Sequence, residues 1–347
     1  MIKNTNNNRK LIEDTLKLFQ EKSSSSPLIL VTGGTGFLGK EIIKELLKKN
    51  YRIRTISRNK NKLIELKKIY PSIEIIEGNI CDISKIKKIC KNVTGILHLA
   101  TYLKSVLSKE NTLECVETNI IGTLNILKNT LNNNKLKFII GISSTKAINI
   151  KSTYGASKYI IEQLFKYFMD ININIKNTNQ QYNLDGKDTK VTSEDSTLHC
   201  KYILIRLGNI INFTNSVINI WKNKLKKGEE IIITNDNSTR YYIPLKDAIN
   251  FILKILDKEF KSDSTYPSPI KDNITNPIKI YIPKMKSMRL GDILEVMIKK
   301  YLPKNKPLKL KKINLLDNEN LHEYLENCGI SSNDSPRYNI NEIYKLI

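Results

Sequence analysis

The chain has 347 residues, too many for one small core and enough for about two domains. With 40% apolar and 26% charged residues it is globular material and not a disordered tail, and no apolar run approaches the roughly 20 residues that cross a bilayer. The net charge of +23 comes from 49 lysines and 8 arginines spread along the whole chain, which points to solvated faces and not to a nucleic-acid footprint, although the field would attract an anionic small substrate.

Residues 1–27 are polar, rich in Asn and Ser, and lack the apolar stretch and cleavage site of a secretory signal. They read as an appended arm. From Leu28 a regular alternation begins. Short runs rich in Ile, Val and Leu at 28–32, 52–57, 73–76, 96–99 and 136–143 have the character of buried parallel strands. Helical patterns lie between and after them at 36–49, 59–69, 83–90, 113–131 and 154–169. This rhythm predicts an α/β chain with a doubly wound parallel sheet. Residues 171–200 are polar, Asn-rich and without periodicity, and read as a surface insertion before a strand at 202–207. The remainder mixes short strands, helices and prolines, as a smaller domain over the sheet's carboxyl edge would. The predicted division is a Rossmann domain over 28–207 and a mainly substrate-binding domain over 208–347, with 239–257 returning to the first core. Five cysteines, odd in number and without a CxxC pair, argue against a disulfide framework and for a reducing, cytoplasmic compartment. Three histidines without clustered partners predict no metal site.

The first strand runs straight into Thr32-Gly33-Gly34-Thr35-Gly36-Phe37-Leu38-Gly39 and then a helix. Glycines in this setting let the chain turn tightly, admit a pyrophosphate to the backbone and allow helix and strand to pack closely. The phosphates then meet the positive end of the helix. The second strand ends Thr55-Ile56-Ser57-Arg58, without the acid that NAD binders use for the ribose hydroxyls. A hydroxyl followed by a guanidinium suits a 2′-phosphate, so NADP is expected over NAD.

After the fifth strand come Ser143-Ser144-Thr145-Lys146-Ala147 and then Tyr154-Gly155-Ala156-Ser157-Lys158. Tyr154 and Lys158 are four apart and share one helix face. An ammonium beside a phenol stabilises its phenolate, and such a pair can take a hydroxyl proton while a nicotinamide takes the hydride.

The glycine turn and the YxxxK spacing resemble the extended short-chain dehydrogenase/reductases, which modify nucleotide sugars. More finely, the chain resembles the inverting UDP-N-acetylglucosamine 4,6-dehydratases of surface-glycan biosynthesis. Matching stretches run from Leu28 to about Glu323. They include Glu117-Thr118-Asn119-Ile120-Ile121-Gly122-Thr123, Arg206-Leu207-Gly208-Asn209, Ser216-Val217, Thr239-Arg240-Tyr241-Tyr242-Ile243 and Asn318-Glu319-Asn320-Leu321-His322-Glu323.

The resemblance implies a UDP-sugar substrate, a homo-oligomer, and a reaction that oxidises carbon 4 transiently and eliminates water across carbons 5 and 6. Tyr154 with Lys158 would serve carbon 4, and Lys146 would remove the proton from carbon 5. The family's acid, the Asp of Thr-Asp-Lys, is replaced by Thr145, preceded by Ser144; an epimerase, a reductase, or a catalytically weak NADP-binding interaction protein is then the alternative reading. Cofactor contacts are implied at Gly33, Thr35, Gly36, Phe37, Leu38, Gly39, Ser57, Arg58, Asn79, Ile80, Ala100, Asn119, Tyr154 and Lys158, with Asn79 standing where relatives carry Asp. Substrate contacts are implied at Lys104, Asn209, Ser216, Val217 and Arg240.

Overall fold

The structure, a computed structural model, describes residues 26–103, 111–131, 133–178, 180–181, 189–190, 200–214, 216–261, 278–326 and 329–347. Lys104 and nearly all of the amino-terminal arm lie outside the described residues.

Seven parallel strands form the main sheet. In chain order they are β1 (Leu28–Thr32), β2 (Arg52–Ser57), β3 (Glu74–Glu77), β4 (Gly95–His98), β5 (Phe138–Ser144), β6 (Lys201–Leu207) and a late edge strand, Lys279–Tyr281. From the late edge strand inward the order is β6-β5-β4-β1-β2-β3. The chain thus winds outward from β1 in both directions, and the sheet reverses between β1 and β4. Ligands of open parallel sheets settle at the carboxyl ends beside such a reversal.

Alternation along each strand feeds two apolar layers. Leu28 and Leu30 of β1 enter the layer covered by Ile86, Ile126, Phe165 and Met169, whereas Ile29 and Val31 enter the layer covered by Ile42, Ile43 and Leu46. That second layer also holds Ile249, Ile252, Leu253 and Leu256 of the helix Leu245–Lys261. Of the segment 239–257, the part from Leu245 onward thus packs into the first core, whereas Thr239–Ile243 belongs to the smaller half. The helices are α1 (Phe37–Lys48), α2 (Lys60–Ile69), α3 (Ile83–Ile89), α4 (beginning Thr112–Cys115 and ending Gly122–Lys128) and α5 (Thr153–Thr178).

Two elements differ from the sequence reading. Residues Val116–Ile121 in the middle of α4 form a π turn, which periodicity does not reveal. And α5 continues past Met169 through what reads as insertion: Ile171 is buried and Ile173 packs on the first layer, so two apolar residues keep the polar segment helical. Beyond it Gln180–Gln181 pairs antiparallel with Thr189–Lys190.

The smaller core gathers Ile211, Trp221, Leu225, Ile231, Tyr242, Met288, Ile293, Met297 and Ile343. It is built from the helices Val217–Lys227 (α6) and Leu290–Tyr301, with a three-stranded sheet of Lys286–Arg289, Thr239–Ile243 and Asn209–Ile210. Strand Asn209–Ile210 starts two residues after β6, so the chain passes from one core to the other across the carboxyl edge of the main sheet.

Candidate active site

A cavity of about 650 Å³ lies along that edge, walled by both halves. Its floor is the turn after β1. Gly33 holds φ +71°, and a Cβ there would come within 2.7 Å of the Ala100 backbone nitrogen. A Cβ on Gly39 would come within 2.3 Å of the Gly33 carbonyl oxygen. Only glycine fits either place, and the turn that results leaves backbone and helix start facing the cavity. A dinucleotide's pyrophosphate fits such a cradle. Gly33, Thr35, Gly36, Phe37, Leu38 and Gly39 all line it, with Asn79, Ile80 and Ala100 from neighbouring strand ends.

At the end of β2, Ser57 and Arg58 both reach the cavity, joined by Lys62 of α2. The Thr35 hydroxyl donates to Ser57 Oγ at 3.0 Å, fixing the serine against the glycine turn. Arg58 is half exposed and pairs with Glu114 at 3.2 Å. Asn79 uses its Oδ1 to accept the Cys81 backbone N–H at 3.1 Å. No acid from β2 lines the cavity.

The opposite wall is the end of β5 with the start of α5, and Ser144, Lys146, Tyr154 and Lys158 line it together. Lys158 is 3% exposed and donates to the Ile142 carbonyl at 2.9 Å, with its Nζ 5.6 Å from the Tyr154 ring centre. Burial depresses the Lys158 ammonium to about 8, against the opposing pull of Cys115 and Glu162. Burial also pushes the Tyr154 phenol well above its ordinary value, while a hydrogen bond with Ser144 draws it down. A lysine one turn away does not by itself make this phenol acidic.

Glu162 stands one turn beyond Lys158. It accepts from Ser143 Oγ at 2.5 Å and from Arg206 at 2.8 Å, both inside the protein. Arg206 also donates to the Leu325 carbonyl at 2.6 Å, tying the outer loop to this wall. A second tie runs from Asn320 Nδ2 to the Asn149 carbonyl at 2.8 Å, three residues after Lys146.

The residues expected from sequence are brought together with two exceptions besides Lys104. Thr145 is 2% exposed and is not among the lining residues; the hydroxyl at this wall is that of Ser144. Asn119 is fully buried in the π turn behind the wall, where its Oδ1 accepts the Tyr102 backbone N–H and its Nδ2 donates to Ser157 Oγ at 2.9 Å. It shapes the site without facing it. In the second half Asn209, Ser216, Val217 and Arg240 all line the cavity. Arg240 is braced by the carbonyls of Thr239 and Leu321, at 2.8 and 3.0 Å, and by Glu323 at 3.7 Å. Phe37 and Phe213 meet edge to face at 5.5 Å where the two halves touch.

Sequence reasoning overlooked Lys62, Trp221, Ser238 and Glu319 as lining residues. Trp221 had a signal, being four residues after Val217 and hence on the same face of α6. Lys62 lies in the first turn of α2, just after the end of β2. Ser238 had none. Among the described residues no group of His, Cys, Asp and Glu could hold a metal, and no helix is long and apolar enough to cross a membrane.

A family model described as polysaccharide biosynthesis protein matches residues 29–345. An uncharacterized membrane protein of Methanocaldococcus jannaschii is 30% identical over 91% of this chain and 83% of its own length. The UDP-N-acetylglucosamine 4,6-dehydratase (inverting) of Campylobacter jejuni is 28% identical over 88% of this chain and 78% of its own. Among solved structures, Pen from Bacillus thuringiensis superposes with a TM-score of 0.69 at 23% identity, covering 86% of this chain and 82% of that one.

Proposed function

Since the chain belongs to the polysaccharide biosynthesis protein family, we propose that it is an NADP-dependent nucleotide-sugar 4,6-dehydratase acting on UDP-N-acetylglucosamine. The observation that carries this reading is the single wall shared by Lys146, Tyr154 and Lys158, opposite a glycine cradle in one cavity.

The residues then divide the work. Gly33, Gly36 and Gly39 hold the pyrophosphate of a nicotinamide dinucleotide, and Ser57, Arg58 and Lys62 offer a hydroxyl and two cations to a 2′-phosphate. When bound, the dinucleotide supplies a reversible two-electron acceptor for carbon 4. Tyr154 takes the proton of the 4-hydroxyl. Its raised proton affinity makes that capture favourable once the phenol is ionised, and Lys158 and Ser144 hold the phenolate. With carbon 4 a ketone, the proton on carbon 5 becomes acidic and Lys146 removes it. The Ser144 hydroxyl would hydrogen-bond the oxygen that leaves carbon 6, which takes one of the two protons gathered by Tyr154 and Lys146 and departs as water; return of the hydride to carbon 6 and of the other proton to carbon 5 would complete the cycle. Arg240 holds the diphosphate, its geometry fixed by two carbonyls and Glu323.

Purified protein given this sugar nucleotide should return a product lighter by one water, read by mass spectrometry. Tyr154→Phe should lower the rate roughly 100- to 10,000-fold. An unchanged mass with NADP bound would overturn dehydration. Arg58→Ala should weaken NADP and leave NAD binding unaltered; equal loss of both would overturn the 2′-phosphate assignment.

A second reading rests on Glu319, the one carboxylate among the described lining residues, which belongs to the outer loop and not to the Tyr154 wall. Without a carboxylic acid at that wall, elimination is the slow half-reaction, and epimerisation at carbon 4 needs only the first half. A product of unchanged mass and inverted configuration would select it.

A further inference from the structure

A carboxylate taken out of water is strongly disfavoured unless its oxygens find donors. Glu323 is 4% exposed and does not line the cavity. Its Oε2 accepts the Tyr241 N–H at 3.0 Å and the Asn209 amide at 3.3 Å. Arg240 Nε lies 3.7 Å from Oε1, an ion pair without a hydrogen bond. Asn209 and Arg240 both line the cavity, so this buried carboxylate stands directly behind two of its walls. Its own place is set from both sides. Ser332 Oγ accepts the Glu323 N–H at 2.9 Å, and the Ser332 N–H donates to the Glu323 carbonyl at 2.8 Å. Gly208 serves the same packing, since a Cβ there would come within 2.7 Å of the Tyr241 carbonyl oxygen.

These bonds decide what each residue has left for a ligand. An asparagine amide carries two N–H donors on one atom and an acceptor on the other. Asn209 Nδ2 directs its hydrogens to the Tyr241 carbonyl, at 3.1 Å, and to Glu323. Both partners are acceptors, so a flipped amide would set oxygen against oxygen. Among the described residues Oδ1 has no partner, and it is the polar atom that Asn209 can offer the cavity. Arg240 commits Nη1 to two carbonyls and turns Nε toward Glu323, which leaves Nη2 uncommitted among the described residues. The cavity thus meets an acceptor at one residue and a cationic donor at the other. Leu207, two residues before Asn209, is the sheet partner of Ser144, so the acceptor stands beside the reacting wall.

We propose that Glu323 is a positioning residue: held outside the cavity, it fixes Asn209 to receive a ligand hydroxyl or N–H and Arg240 to receive a phosphate oxygen. The assignment rests on the nucleotide-sugar reading of the cavity and adds the buried group that sets the polarity of two contacts. A phosphate offers acceptors alone, so it suits Arg240 and is refused by Asn209. Glu323 works by two means that can be separated. Arg240 feels its charge across 3.7 Å, which needs no contact. Asn209 feels its oxygen at 3.3 Å, which needs both reach and a lone pair.

The test is titration of the full chain with UDP, UDP-N-acetylglucosamine and NADP. Glu323→Gln removes the charge and puts a donor where Asn209 needs an acceptor. It should weaken UDP several-fold and the sugar nucleotide roughly ten- to hundredfold, the size of a lost hydrogen bond to a charged group, with NADP unchanged. Glu323→Asp keeps the charge and loses the reach, so UDP should return close to the wild-type value while the sugar nucleotide stays weakened. A double-variant cycle locates the effect: once Asn209→Ala is present, Glu323→Asp should add little further loss. Additive losses overturn the proposal, as does wild-type binding of all three ligands by both Glu323 variants. Loss of NADP in step with the sugar nucleotide in both variants overturns it too, since Glu323 would then only hold the fold. Binding of neither UDP nor the sugar nucleotide by the wild-type chain sinks the nucleotide-sugar reading itself, and the proposal with it.

Discussion

At the scale of single residues, Tyr154 and Lys158 are pushed in opposite directions by one cause. Burial disfavours charge on either, so the phenol rises and the ammonium falls to about 8. The pH profile should show both. Activity should climb with pH as the phenol is readied and level off above about 8, where each further gain in phenolate is offset by loss of the Lys158 proton. Ser144→Ala removes a hydrogen bond that lowers the Tyr154 value, so activity should drop by the same factor at each pH while the bend near 8 stays. Profiles that superpose would show that Ser144 does not act on the phenol. For stability, the unfolded chain keeps the lysine proton up to its ordinary value of 10.5 while the folded chain gives it up near 8, so stability increases between about 8 and 10.5. Tyr154 and Lys158 were legible in the sequence because four residues on a helix is a local spacing. Glu319 reaches the cavity through a long-range fold of the chain that no local spacing records. The net charge gave no hint that the cavity would carry a carboxylate at all.

Among the elements, β1 to β5 and the helices α1 to α3 were legible to within about two residues, because parallel strands buried on both faces are short apolar runs separated by amphipathic helices. The π turn of α4 was not. One extra residue in a helix leaves the apolar pattern nearly intact, while it swings Asn119 behind the active wall to hold Tyr102 and Ser157. The long-range pair between α5 and β6 was equally invisible, since Glu162 and Arg206 are separated by 44 residues. Both are about 5% exposed, and removing one side of such a pair leaves an uncompensated charge inside. Arg206→Met should therefore cost about 3–5 kcal/mol of unfolding free energy, measured by denaturant titration. Restoring most of it with the double variant Glu162→Gln, Arg206→Met would confirm that the stranded charge is the cause. A single variant as stable as wild type would show that water reaches the pair.

For the whole molecule, the +23 charge is echoed at the cavity, where Arg58, Lys62, Lys146, Lys158 and Arg240 line the wall and Glu319 is the one carboxylate among the described lining residues. Attraction of a dianionic substrate should weaken as salt shortens the Debye length from about 30 Å at 0.01 M to about 8 Å at 0.15 M. KM should rise several-fold over that range with kcat nearly constant; a flat KM would place the charge outside the encounter. The outer loop has a further consequence. Arg206 grips it at Leu325 and Asn320 anchors it to Asn149, so it is sewn to the two stretches that carry the reacting groups. The span before it, 304–309, is mostly solvent-facing. A fluorophore on the exposed Lys304 should be silent, whereas cutting the chain before Asn320 would unpick both stitches and be felt at the cavity from afar.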